Sequence, residues 1–458
     1  LPICPWGTTA WFAVSYQNYD KFKGIGELEK TQFNGRIYQP LGDNGDFVAL
    51  SGHYNENRNN NYNGPNLATS TGFCDVARTQ VCGDQVNDPA NPFGWNIDFD
   101  RTYVAPTVRT GVADVDTNGT GYWGLRVNPS NTGNIRGNSR FTLMEGLVLT
   151  VDPSFQYTLA NGGTQQAVLS ETNQLLRGTR TTGGVDLNGD GDTLDSVRVM
   201  TPSNTNTHRY GLNSSLIWDL NDSHRLRAAY ALDWGRHRQN GHYGFVDFTI
   251  PTKPVFVDVF GGRNDEDNRV TNLDGYELQA RDRKSIAMLN QFSLEYRGRF
   301  LADALTVNIG VRAPFFEREL NQYCFSQNSS SNVLCTSQLP NAPLANGNVT
   351  FGTSTTQYIR PYSLTKKYDD ILPNVGATYR FGDGHSVFAS YGESLSAPRT
   401  DSLYVVRRLA DGSIGNPTVQ PEQSKNIDLG YRYTASTLVV QASVFSNQFD
   451  NRIVSTFD

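Results

Sequence analysis

This 458-residue chain contains no run of about eighteen apolar residues, so no membrane-crossing helix is expected. Charge is sparse. Lys, Arg, Asp and Glu make up 18% of the residues, against about 25% in ordinary soluble domains. The net charge is −6 and no basic stripe is visible, which argues against nucleic-acid binding. Methionine occurs three times and histidine six times. The five cysteines include no CxxC pair and no neighbouring His pair, so a zinc site is not expected. No Ser/His/Asp or paired-carboxylate arrangement has a definable geometry, so no catalysis is assigned. The chain starts at Leu1 without a signal peptide, which reads as a fragment or a processed product.

Glycine (43 residues) and aromatics (11%) are plentiful, and the chain is polar on average. Segments of alternating polarity fall near 10–19, 31–39, 47–55, 139–150, 154–160, 207–218, 225–234, 285–297, 304–316, 372–381, 385–393, 425–434 and 438–449. Their connections alternate in length. Tight turns are expected at 40–46, 151–153, 219–224, 298–303, 382–384 and 435–437. Long polar stretches are expected at 20–30, 56–138, 161–206, 235–284, 317–371 and 394–424. An up-and-down meander with short turns on one side and long loops on the other predicts an all-β fold. It is the pattern of an antiparallel transmembrane β-barrel with long extracellular loops.

Faces can be assigned by period two. Tyr210, Leu212, Leu216 and Trp218 oppose Arg209, Asn213 and Ser215. Leu305, Val307, Ile309 and Val311 oppose Thr306, Asn308 and Arg312. Aromatics such as Trp218, Trp234, Tyr379, Phe381, Tyr431 and Tyr433 gather near strand ends, as in a membrane-boundary girdle. A soluble half-buried sheet carries the same alternation, but it has no reason to sort its loops by length.

Several polar groups stand out. Cys74 with Cys82, and Cys324 with Cys335, form two short-range pairs inside predicted loops, as suits disulfides in an oxidising compartment. Cys4 is left over. The run 186–195, DLNGDGDTLD, places Asp186, Asn188 and Asp190 at positions one, three and five of a calcium loop, with Gly191 at six. Position twelve is Val197 and the closing Glu is missing, with Asp192 or Asp195 able to supply the extra oxygens. The alternative is an ordinary Asp/Gly-rich loop tip. Apart from this Ca2+, no cofactor is expected. Arg225, Arg227, Arg312, Arg380 and Arg432 point to the wet face, toward acidic partners or an anionic ligand. Arg263, Arg269, Arg281, Arg283, Lys284, Arg399, Arg407 and Arg408 read as loop cations interleaved with acids. His53, Tyr54, Trp95, Trp123, His237, His242, Tyr243 and Arg399 are candidates to line a ligand-binding mouth.

The C-terminal third carries a recognisable succession. Residues 372–379 read LPNVGATY, 386–399 read SVFASYGESLSAPR, 421–431 read PEQSKNIDLGY and 442–454 read ASVFSNQFDNRIV. In this order they resemble the barrel domain of TonB-dependent receptors of the Gram-negative outer membrane. The resemblance implies part of a 22-stranded barrel, with the plug, the TonB box and the closing C-terminal strands outside this chain. It implies a monomer in outer-membrane lipid, coupled through a plug to TonB, ExbB and ExbD. The implied activity is active uptake of a scarce small molecule or chelate, by default a ferric siderophore. An oligosaccharide or cobalamin is an alternative ligand. A passive porin-type channel and a surface adhesin or enzyme on a barrel scaffold are rival functions.

Overall fold

The computed structural model describes residues 7–21, 25–61, 102–162, 166–327, 333–415 and 419–452. The chain runs through β1 (Thr9–Asp20), β2 (Glu27–Leu41), β3 (Asp46–Asn59), β4 (Ser130–Met144), β5 (Leu147–Asn161), β6 (Gln166–Ser170) and β7 (Ser196–Met200). It continues through β8 (Asn204–Asn221), β9 (His224–His242), β10 (Gly244–Asp247), β11 (Val255–Phe256), β12 (Gln279–Phe300) and β13 (Leu305–Gln322). Then follow β14 (Phe325–Ser326), β15 (Val333–Leu334), β16 (Tyr362–Asp369), β17 (Leu372–Phe381) and β18 (His385–Ser396). The last are β19 (Arg407–Arg408), β20 (Ile414–Gly415), β21 (Glu422–Thr434) and β22 (Val439–Asp450).

Fourteen of these strands form one antiparallel sheet in the order β1-β2-β3-β4-β5-β8-β9-β12-β13-β17-β18-β21-β22, with β16 also on β13. The strands β16 and β17 pair with successive halves of β13, from Gln322↔Tyr362 down to Leu305↔Tyr379. They act as one wall strand interrupted at Asp370 and Ile371, so the wall has thirteen passages. A second sheet, β11-β10-β7-β6, is built from the long connections.

The alternation places apolar side chains outward. Phe292 and Leu294 are 56% and 55% exposed, and Ile427 and Leu429 are 53% and 55% exposed. A soluble sheet would bury this face. An exposed apolar band over successive strands is the lipid-facing surface of a membrane wall. At the short-turn end Phe381 stacks on Tyr379 and His385, with ring centroids 5.9 and 5.7 Å apart, and Tyr38 meets Phe47 at 5.1 Å. These rings form a belt at one membrane boundary.

Several expected boundaries differ: β4 starts at Ser130, β9 runs on to His242, β12 starts at Gln279, β13 runs on to Gln322, and β16 lies wholly inside the expected 317–371 loop. The connection from β1 to β2 is only residues 21–26, because β2 starts at Glu27. The turn expected at 151–153 lies instead at Glu145–Gly146. Gly146 has φ +73° and sits so close to the wall that a Cβ would meet the Asp219 carbonyl oxygen at 2.5 Å. Asp152-Pro153 reads as a turn but lies inside β5. Proline has no amide to donate. The wall compensates locally: Ser139 donates its amide to Asp152 Oδ1 (2.8 Å) and its hydroxyl to the Val151 carbonyl (2.7 Å).

The wall strands are long. A tilted strand of about 9–11 residues crosses a membrane, whereas β12 has 22 residues and β9 has 19. Their surplus length projects on the long-loop side and supports what is built there.

Candidate functional site

The buried apolar clusters of this protein lie in and under the long connections. One cluster joins Tyr103, Tyr122, Leu125, Met200, Val246 and Phe256 from three connections. A second joins Leu169, Leu176, Leu187, Val199, Val270 and Leu278. A third joins Leu320 at the end of β13 to Ile359, Tyr362, Leu403, Tyr404 and Val406. Each fully buried side chain of this kind is worth about 1.5–3 kcal/mol. The outer connections therefore form a packed canopy. Cys324 and Cys335 are joined by a disulfide within it. Cys4, Cys74, Cys82 and Trp95 lie outside the described residues.

Two buried cations pin the canopy. The Arg198 side chain is 1% exposed and grips Asp116, itself 0% exposed, through Nε (2.8 Å) and Nη2 (3.0 Å). Arg198 Nη1 also donates to Gln166 Oε1 (2.8 Å), and Tyr103 donates its hydroxyl to Asp116. Burial, followed by the Asp116 bond, pushes the Tyr103 phenol well above its ordinary pKa. Arg283 was expected as a solvated loop cation. Instead its side chain is 3% exposed, and it donates to Gln239 Oε1 (2.6 Å) and Asp401 Oδ1 (2.5 Å). Its guanidinium lies 4.4 Å from the Tyr404 ring centre, which ties β12 to the β18–β21 connection. Arg269 is likewise paired, with Glu277 at 2.7 Å.

The acidic run folds against the preceding connection. Asp186 turns back on its own loop and accepts amides from Gly189 (2.6 Å) and Gly191 (2.9 Å). Asn188 donates to Asp195 Oδ2 (2.7 Å), and Asp195 Oδ1 accepts the Asp114 amide (2.6 Å). Asp192 accepts the amides of Gly111 (2.5 Å) and Leu194 (2.7 Å). Glu171, fully buried, accepts the amides of Leu187 (2.6 Å) and Asp195 (3.2 Å), and its burial raises the carboxyl pKa. For Asp190 the Asp192 amide pulls the pKa down. Burial and the charges of Asp192, Asp195 and Asp186 outweigh it, and the net direction is up. Asp114 and Glu171 escaped the sequence reading because neither lies in the run.

A polar cleft of about 570 Å³ opens in the canopy beside the third cluster, lined among others by Gln327, Asn346, Asn348, Gln357, Arg407 and Arg408. Arg408 is fixed there by the carbonyls of Gly412 (2.7 Å) and Gly347 (3.2 Å) and by Asn348 Oδ1 (3.3 Å).

Residues 15–458 match the family described as TonB dependent receptor-like, beta-barrel. The chain belongs to this family of TonB-dependent receptors. Its members are outer-membrane transporters and not enzymes. The fold is also that of solved receptors. The ferric-catecholate import receptor Fiu from E. coli K12 matches with TM-score 0.54 and 12% identity, over 98% of this chain and 55% of that one. The ferric yersiniabactin uptake receptor FyuA from Yersinia pestis matches with TM-score 0.51 and 11% identity, over 98% of this chain and 51% of that one. The ferric citrate transporter FecA matches with TM-score 0.52 and 12% identity, over 97% of this chain and 47% of that one. The chain thus spans about half the length of these structures.

In this receptor barrel the candidate mouth residues do not converge. His53 and Tyr54, candidates for the mouth, lie in β3. His53 Nδ1 is 2.8 Å from Asn34 Oδ1, and the Tyr54 hydroxyl donates to Glu56 (3.0 Å). Trp123 packs against the first cluster and Tyr243 against the second. His237 meets the Thr207 hydroxyl at 2.7 Å, and His242 Nε2 meets Glu277 at 3.1 Å. Arg399 is exposed at the start of the turn at Thr400–Leu403. Of the wet-face arginines, Arg225 pairs with Asp219 (2.5 Å), Arg227 with Glu295 (3.9 Å), and Arg432 donates to Gln441 (3.0 Å). Arg312 and Arg380 face Ser293 and Ser386 across the sheet.

Proposed function

We propose that this chain supplies the wall and outer canopy of a receptor that takes up a ferric siderophore by TonB-dependent transport, with TonB, ExbB and ExbD as its energising partners. The observation that carries this reading is the canopy cleft. Its volume of about 570 Å³ falls within the range of small-ligand sites, about 300–1,000 Å³. Arg407 and Arg408 supply positive charge, and the surrounding amides supply donors, as an anionic chelate requires. The ferric chelates named for Fiu, FyuA and FecA lend support. The copper transporter OprC, with TM-score 0.50 and 10% identity, keeps a metal without a siderophore as the second reading. A passive pore lacks this support, because free diffusion needs no binding cleft.

The test is uptake of radiolabelled ferric siderophores by cells carrying the full receptor, with and without TonB. Uptake is expected only with TonB, and the double change R407E/R408E is expected to weaken surface binding about tenfold. Uptake independent of TonB would return the porin reading. TonB-dependent copper uptake without any ferric chelate would favour the second reading.

A further inference from the structure

We propose that the canopy holds a Ca2+ ion between two of its connections, with Asp114, Asp190 and Asp195 as the carboxylate ligands. Asp114 comes from the connection between β3 and β4. The other two come from the connection between β5 and β8.

The first support is geometric. One carboxylate oxygen from each of the three residues lies within 4.8 Å of the others. Two oxygens bonded to one Ca2+ at about 2.4 Å stand at most about 4.8 Å apart. The second support is an orphaned buried group. The Asp114 side chain is 5% exposed, its Oδ1 accepts from Arg109 (2.6 Å), and its Oδ2 is buried without a partner. Asp190 Oδ2 is also buried without a partner. A charged oxygen removed from water and given no donor is costly, and a cation removes that cost.

Charge points the same way. Asp114, Glu171, Asp190, Asp192 and Asp195 converge, and among the described residues the only ion pair to any of them is Arg109 on Asp114. The hydrogen bonds between the connections draw like charges together. The Asp114 amide donates to Asp195, the Ser196 amide donates to the Asp114 carbonyl (3.0 Å), and the Thr110 hydroxyl donates to the Asp190 carbonyl (2.5 Å). A bound cation turns this repulsion into a clasp.

The choice of ligands follows from which oxygens are already engaged. A second triad, Glu171, Asp192 and Asp195, also lies within 4.8 Å. Both oxygens of Glu171 and both of Asp192 accept backbone amides, so they shape the site, whereas Asp195 accepts one backbone amide, at Oδ1, and at Oδ2 only the Asn188 side chain, which can turn aside for an ion. Both oxygens of Asp186 accept glycine amides in its own loop, which removes the first position expected of a self-contained calcium loop. An all-oxygen set without His or Cys selects a hard cation, and an irregular carboxylate cage suits Ca2+ better than Mg2+.

The full receptor, extracted in detergent and stripped with EDTA, is titrated with CaCl2 by calorimetry. A saturable one-site heat is expected. Asp114→Asn and Asp190→Asn should each weaken it at least about tenfold, and Asp186→Asn should leave it within about threefold. Tryptic cleavage of the unaltered receptor after Arg109 should be at least about tenfold faster in EDTA than in Ca2+. That measurement decides the matter if a variant does not fold. No saturable heat, equal heat from Mg2+, or equal cleavage rates would overturn the proposal. So would loss of binding in Asp186→Asn with none in Asp114→Asn, which would return the ion to the 186–195 loop alone.

Discussion

Arg198 shows how much of this receptor is decided by single residues that no local pattern marks. It lies in a short alternating strand, and its carboxylate partner Asp116 is 82 positions away in another connection. Both side chains are almost fully buried, so each depends on the other for its charge to be tolerated. Asp116→Ala leaves the guanidinium buried and unpaired, and is expected to destabilise the canopy by about 3–5 kcal/mol. Replacing both, as in D116A/R198M, is expected to recover most of that loss, because removing the whole pair also removes its desolvation cost. Hydrogen exchange of the canopy amides measures both: exchange in Asp116→Ala equal to that of the unaltered receptor would mean that the pair matters little, and equally fast exchange in the two variants would mean that the double change recovers nothing. The same distance problem explains what was legible of the acidic site. The run 186–195 announces itself by composition, whereas Asp114 becomes relevant only when two connections fold together. Arg283 was misread for a related reason. Its sequence neighbours are charged, but its surroundings are Gln239, Asp401 and the Tyr404 ring.

At the scale of elements, period two carries far because each wall strand has one wet face and one lipid face. Twelve of the thirteen predicted segments fall each on one wall passage, and the thirteenth, 139–150, runs across the turn between β4 and β5. The long connections carry no comparable signal. Their buried residues, such as Tyr103, Leu125 and Leu403, have no regular spacing, and the surrounding Asn, Gly and Asp read as solvent. The one misplaced short turn shows the limit of turn chemistry. Asp-Pro at 152–153 is a strong turn signal by propensity, but it is overridden by strand pairing to β8 and by the Ser139 bonds on the β4 side. Pro153 faces Leu212 on β8, and on the other side Gly137 of β4 makes room for its ring. A Cβ at Gly137 would stand 3.0 Å from two Pro153 ring carbons. Gly137→Val is therefore expected to cost about 1–3 kcal/mol by overpacking and to slow closure of the β4–β5 hairpin. Refolding into lipid vesicles, followed by the heat-dependent shift of the barrel on a denaturing gel, checks this. Unchanged folding would mean that the hairpin relaxes around the added methyl groups.

The whole molecule inverts the usual distribution of apolar surface. Its wall exposes Phe292, Leu294, Ile427 and Leu429, while its buried clusters sit in the canopy beyond the membrane. That arrangement is stable only if lipid is the solvent for the wall and water for the canopy. The two therefore answer to different forces and can fail separately. Two positions of β12, three residues apart, test this cleanly. Leu294 lies on the apolar face and is 55% exposed, and Gln291 lies on the opposite face by period two. Arginine at a lipid-facing position near the bilayer midplane costs about 2–4 kcal/mol, whereas a lumen-facing position tolerates it. Leu294→Arg should therefore lower the stability of the vesicle-inserted receptor by that amount in a denaturant titration, and Gln291→Arg should change it by less than about 1 kcal/mol. The canopy, read separately by ligand binding at the cell surface, should be intact in whatever fraction of Leu294→Arg inserts. The opposite ranking would mean that the apolar face is covered by protein, and the wall would then have to be reassigned to a soluble sheet.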